Sequence, residues 1–102
     1  MSQSRAGIVA KAFKFHDVNN RAQILLRNLF QAYNASAHPR VVAGVKTEQE
    51  VRTSFEQTLS RYTPGPYVNA EQFLAYYADI GATIPPEKDD FLFTVIMNTW
   101  GL

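Results

Sequence analysis

The feature that most limits what this chain can fold into is a repeat. A helical stripe, a loop carrying one β-prone residue and a second helical stripe occur twice, with Ile24 and Val68 in equivalent places 44 residues apart. Each stands five positions before a large apolar residue, Leu29 or Phe73. A helix–loop–helix unit this small cannot bury its own apolar face, so the two are expected to pack together, with Ile24 and Val68 meeting in one short antiparallel bridge.

The apolar spacing places the helices. Ile8, Val9, Ala12, Phe13 and His16 form one stripe of a helix over about 5–16, and Leu26, Leu29, Phe30 and Tyr33 a stripe over about 26–36. Residues 37–46, with His38-Pro39 and Gly44, read as a linker. Thr47-Glu48-Gln49-Glu50 matches a capping box and opens a helix to about 60 that buries Val51, Phe55 and Leu59. Thr63-Pro64-Gly65-Pro66 is a turn, since two prolines bracket a glycine. Asn69 to Gln72 repeats the capping logic and opens a helix to about Ile80, burying Phe73, Tyr76, Tyr77 and Ile80, with Gly81 as its C-cap.

A last helix, over about 86–100 after Pro85 and Pro86, carries Phe91, Leu92, Phe93, Val95, Ile96, Met97 and Trp100 and so has almost no polar face. It is expected to lie in the groove made by the other four. The acidic pair Asp89 and Asp90 at its start suits the positive end of the helix dipole and is read as capping. The predicted architecture is an all-α single domain over 1–102: a first unit over about 5–36, the linker 37–46, a second unit over about 47–80, and the added helix.

At 102 residues and 46% hydrophobic, the chain can bury one core. It has no cysteine, which excludes disulfides, thiolate zinc sites and thiol nucleophiles. No apolar run approaches the roughly 20 residues of a membrane span. Arg5 and Lys11 interrupt any signal-peptide core. A cytoplasmic protein without membrane contact is expected. Residues 1–46 carry seven Lys/Arg against Asp17, a balance of +6, whereas residues 47–102 carry three against eight Asp/Glu, a balance of −5. That split suits either an acidic partner or mutual attraction of the halves.

The loops carry the chemistry. Asp17 to Asn28 has the length and entry of a calcium-binding loop, which needs side-chain oxygens at positions 1, 3 and 5, glycine at 6 and a bidentate carboxylate at 12. Asp17 and Asn19 satisfy positions 1 and 3, but 5 is Arg21, 6 is Ala22 and 12 is Asn28. A cation in the ligand ring and the lost two-oxygen ligand remove most of the affinity for a hard dication. In the second loop, an expanded register from Ser60 to Gln72 and another ending at Glu71 with Gly65 at position 6 both fail to give a site.

In order and spacing the chain resembles the C-terminal EF-hand pair of the calcyphosine family over about residues 12–102. The marks are Tyr33, then His38-Pro39, Val41, Gly44 and Thr47 to Val51, then Phe73 with Tyr76-Tyr77, Ala82, Ile84, and Trp100-Gly101-Leu102. The resemblance implies paired EF-hands meeting at a short β bridge, in proteins like calmodulin-type sensors that usually carry two such pairs. It also implies a cytoskeletal, ciliary or flagellar partner, and the basic first half would suit an acidic filament such as tubulin.

The expected function is a non-catalytic protein-interaction or scaffolding element that has lost calcium and carries no cofactor. Asp17 and Asn19 are the residual metal candidates, read as turn formers that bind backbone amides. Tyr76, Tyr77, Phe91, Trp100, Arg21 and Arg27 are the candidate protein-binding residues. Arg5, Lys11, Lys14, Arg21 and Arg27 form no basic run, and a pI near 8.0 argues against nucleic acid. No Gly-x-Ser-x-Gly turn or phosphate-cradling glycine loop is present. His16 and His38, 22 residues apart, make no zinc pair. The rival readings are a calcium sensor with one weak site in the first loop, and a self-associating half of a larger EF-hand assembly.

Overall fold

The computed structural model describes residues 3–17 and 21–102. Helix α1 (Gln3–His16) leads through the first loop to strand β1 (Gln23–Leu25) and helix α2 (Leu26–Ala32). A 3-10 turn (Ala35–Ala37) and the short helix α3 (Pro39–Val42) precede helix α4 (Glu48–Ser60). Strand β2 (Tyr67–Asn69), helix α5 (Ala70–Gly81), a second 3-10 turn (Pro86–Lys88) and helix α6 (Asp89–Trp100) complete the order. The strands pair antiparallel with Ile24 opposite Val68, and both side chains are buried. The fold is all-α: two EF-hand units joined by a two-stranded bridge, with α6 packed against them.

The repeat is strict through the loops. α1 ends at His16 and α4 at Ser60, while α2 starts at Leu26 and α5 at Ala70. Both pairs share the 44-residue offset of Ile24 and Val68. The second loop is therefore Arg61 to Gln72, the counterpart of Asp17 to Asn28, and neither register expected from sequence is the folded one. The prolines at 64 and 66 fall at positions 4 and 6, between the ligand positions.

Both capping boxes form. The Thr47 hydroxyl accepts from the Glu50 amide at 3.1 Å, and Glu50 Oε1 accepts from the Thr47 amide at 3.1 Å. Asn69 Oδ1 accepts from the Gln72 amide at 2.8 Å, and Gln72 Oε1 accepts from the Asn69 amide at 2.9 Å. Each box satisfies amides that the first helical turn leaves unpaired.

Helix α2 stops at Ala32, short of the expected 36. The guanidinium of Arg52, reaching from α4, donates to the carbonyls of Phe30 at 2.6 Å and Tyr33 at 2.8 Å. Those bonds satisfy carbonyls that a longer helix would have used internally. They also bring Tyr33 face to face with Phe55, with ring centroids 3.9 Å apart and planes 4° from parallel. The expected linker 37–46 contains α3, whose N-cap is His38 and whose first residue is Pro39, a residue with a preset helical φ.

Helix α6 lies in the groove as expected. The Trp100 indole is 2% exposed, and its rings contact His16 and Tyr33 of the first unit and Phe55 and Phe73 of the second at centroid distances of 5.3–5.8 Å. Its Nε1 donates to the Tyr77 hydroxyl at 2.6 Å. The Trp100 carbonyl can only accept, so His16 Nε2 donates to it at 3.0 Å. Gly101 at φ +73 lets the Leu102 amide turn back onto the Met97 carbonyl and close the helix.

The far end of α6 is held by Arg5, an α1 residue read from sequence as one of several surface cations. Arg5 is 7% exposed. Its Nε donates to Asp89 Oδ1 at 2.5 Å, and its terminal nitrogens to the carbonyls of Gly81 at 2.9 Å, Ile84 at 3.0 Å and Pro85 at 2.8 Å. Two expectations are corrected here. Asp89 and Asp90 lie in the first turn of the helix, as expected, but Asp89 pairs with this guanidinium and the N-cap is Lys88, without a side-chain bond. Gly81 is the last helical residue, with Ala82 as C-cap, and a Cβ on Gly81 would stand 3.2 Å from Arg5 Nη1.

Candidate functional site

In the first loop the Asp17 carboxylate faces inward from the end of α1. Its Oδ1 accepts from the Arg21 amide at 3.1 Å and Oδ2 from the Ala22 amide at 2.7 Å. Ala22 holds φ +61, the left-handed turn that calcium loops assign to glycine at position 6. The bend survives without the glycine because two amides are tied to one carboxylate. The residual candidate Asn19 lies outside the described residues.

The second loop is closed differently. Its first ligand position is Arg61, a cation where a carboxylate is wanted. At the third, the Thr63 hydroxyl is buried and donates to the carbonyls of Gly65 at 3.2 Å and Tyr67 at 2.5 Å. Tyr67 is position 7, whose backbone carbonyl is a ligand in an ion-binding loop. That oxygen is engaged by a protein hydroxyl. At position 12, Gln72 supplies a neutral amide whose oxygen is committed to the capping box. Among the described residues, no group of three or more His, Asp or Glu is placed to hold a metal.

The candidate protein-binding residues separate by burial. Tyr76, Tyr77 and Trp100 are 6%, 5% and 2% exposed, so they act as core and offer little contact area. Burial pushes the Tyr77 and Tyr76 phenols well above the ordinary tyrosine range and Tyr33 up to about 12. Phe91 is 48% exposed on α6, and Arg21 and Arg27 are exposed on the first unit. The structure brings Phe91, Tyr76 and Tyr77 together along one cavity and leaves Trp100, Arg21 and Arg27 outside its lining.

That cavity is a groove that periodicity did not reveal. It has a volume of about 630 Å³ and runs between α4, α5, α6 and the segment carrying α3. Phe55, Tyr76, Ile80, Leu92 and Val95 form its apolar wall, and Phe91 lies at its margin. His38, Arg40 and Lys46 line another edge. The one sequence signal was the cluster of cations around Pro39 and Gly44, within what read as a linker. His38 Nδ1 accepts from the Arg40 amide at 3.1 Å, which keeps that nitrogen unprotonated. Burial, with the Arg40 and Lys46 charges beside it, holds the imidazole below its usual pKa. Among the described residues, no helix is long and apolar enough to cross a membrane.

No family model matches this sequence. The chain is 27% identical over 101 residues to crustacean calcium-binding protein 23 of Faxonius limosus, across 98% of this chain and 49% of that protein. It thus spans about half the length of the curated relative it matches. In fold and in sequence, the chain is EF-hand-like and similar to one half of a calcium-binding protein.

Proposed function

We propose that this chain is an EF-hand pair that has given up its ion and serves as a constitutive, non-catalytic protein-interaction module. The observation that carries the proposal is the Thr63 hydroxyl bonded to the Tyr67 carbonyl, which uses a ligand oxygen from inside the loop. Arg61 at the first position and Arg21 at the fifth of its own loop add positive charge where a dication would sit. Without a calcium term, the arrangement of the groove is set by packing alone. The sequence resemblance to the calcyphosine family supports a cytoskeletal or ciliary setting for such a module.

Calorimetric titration with calcium and then magnesium tests the loss of ion binding. The expected result is no heat beyond dilution at micromolar ion. Heat that Asp17→Ala abolishes would instead favour a sensor with one residual site in the first loop. That second reading draws on the inward Asp17 carboxylate and on the name of the crustacean relative.

A further inference from the structure

The groove has a charge asymmetry that core packing does not require. Its cationic edge comes from a nine-residue platform, His38 to Lys46, folded tightly on itself. The Arg40 carbonyl accepts from the amides of Val45 at 2.8 Å and Lys46 at 3.1 Å, and Gly44 at φ +75 permits the reversal. This geometry holds Arg40 and Lys46 side by side. Like charges fixed together repel unless an anion lies between or above them. Among the described residues, neither has a carboxylate within ion-pair distance: the ion pair found is Arg5–Asp89. Glu50 is close enough to Lys46 to feel its charge, but both its first-turn bonds go to Thr47. Among the described residues, no aspartate or glutamate lines the cavity.

Apolar surface continues past the cavity. Val42 and Val45 on the platform are 75% and 70% exposed, and Phe91 on the opposite side is 48% exposed. A helix laid along the groove covers both flanks, using side chains at i, i+3, i+4 and i+7 as anchors.

We infer that the groove between α4, α5, α6 and the 38–46 platform docks an amphipathic protein segment whose apolar face is flanked by aspartate or glutamate. The apolar anchors sit on Ile80, Val95 and Phe91, which line the cavity and keep accessible surface, and the carboxylates meet Arg40 and Lys46. The platform's internal bonds fix the backbone that carries those cations before binding, which lowers part of the ordering cost. The inference rests on the interaction-module reading and specifies its partner by charge.

The test uses the full chain and a fluorescein-labelled helical peptide with leucines at i, i+3, i+4 and i+7 and glutamates beside them. Anisotropy is measured in calcium and again in EDTA. The matched peptide with lysine for glutamate is the control. The glutamate peptide should bind and weaken as salt rises, the lysine peptide should bind at least about tenfold more weakly, and Arg40→Glu with Lys46→Glu should cost about tenfold. Both residues are exposed, so the double variant should keep its fold, as circular dichroism checks. Phe91→Ser should weaken binding without changing its salt dependence. Equal binding of the two peptides, no effect of the charge reversals, absence of binding in both buffers, or displacement of the bound peptide by oleate at stoichiometric amounts would each overturn the inference. Binding in calcium but not in EDTA would leave the groove standing and sink the ion-free reading, which keeps the two failures apart.

Discussion

The two loops share one frame and are held by different devices. In the first, an aspartate side chain gathers two amides of the bend, so the turn is held from outside by a charge. In the second, a buried threonine hydroxyl bonds two carbonyls of its own loop, so the turn is closed from within. A calcium ion supplies positive charge to a ring of oxygens. In the second loop the Thr63 hydroxyl proton lies against two backbone oxygens, and in the first both Asp17 oxygens accept from amides. The bridge of Ile24 and Val68 is then held by packing and by its own ladder.

Raising the pH should have the largest effect. Burial raises Tyr33 of the first unit to about 12, and Tyr76 and Tyr77 of the second are pushed higher still. Folded pKa values above the unfolded value of about 10 mean that this stability is complete below pH 10 and lost as pH rises through the folded values. Tyrosinate absorbance and loss of helicity should therefore rise together. Loss of helicity in one unit before the other would show that the two units melt independently.

Trp100→Ala should cost about 3–5 kcal/mol in urea denaturation, because the indole fills space shared by both units. Hydrogen exchange should quicken in both loops, and a response confined to one would break the picture of a common core. Arg5→Met should cost about 3 kcal/mol by leaving three carbonyls and Asp89 without their donor. Its effect should centre on the junction of α5 and α6 and spare the loops.

The loops themselves separate next. Thr63→Val should cost about 1–2 kcal/mol, since it leaves the Tyr67 carbonyl without the hydroxyl of a buried side chain. Asp17→Ala should cost about 1 kcal/mol, because its amides can turn to water. A reversed order in urea denaturation would mean that the first loop, and not the second, depends more on its internal closure.

Much of the fold could be read from residue types at fixed spacing. The repeat placed Ile24 against Val68, and the Thr47–Glu50 and Asn69–Gln72 boxes marked the starts of α4 and α5, because capping is local chemistry. What escaped was set by long-range contacts. Arg5 looked like any surface cation until Gly81, Ile84 and Pro85, some 80 residues away, supplied carbonyls for it. The end of α2 depended on Arg52 of another helix. The second loop's register was already implied by the 44-residue offset, and the helix ends and the strand pairing mark it. The groove was missed for a similar reason: its cations and its aromatic wall come from four separate segments, and none of them carries a pattern of its own.

Thermal unfolding in saturating calcium against EDTA tests the ion-free claim most directly. Calcium at about 100 times its dissociation constant would add about 2.7 kcal/mol, a rise on the order of 10 °C for a domain of this size. The account predicts the same midpoint in both buffers to within about 1 °C, by the same scaling. A calcium-dependent rise of several degrees would contradict it.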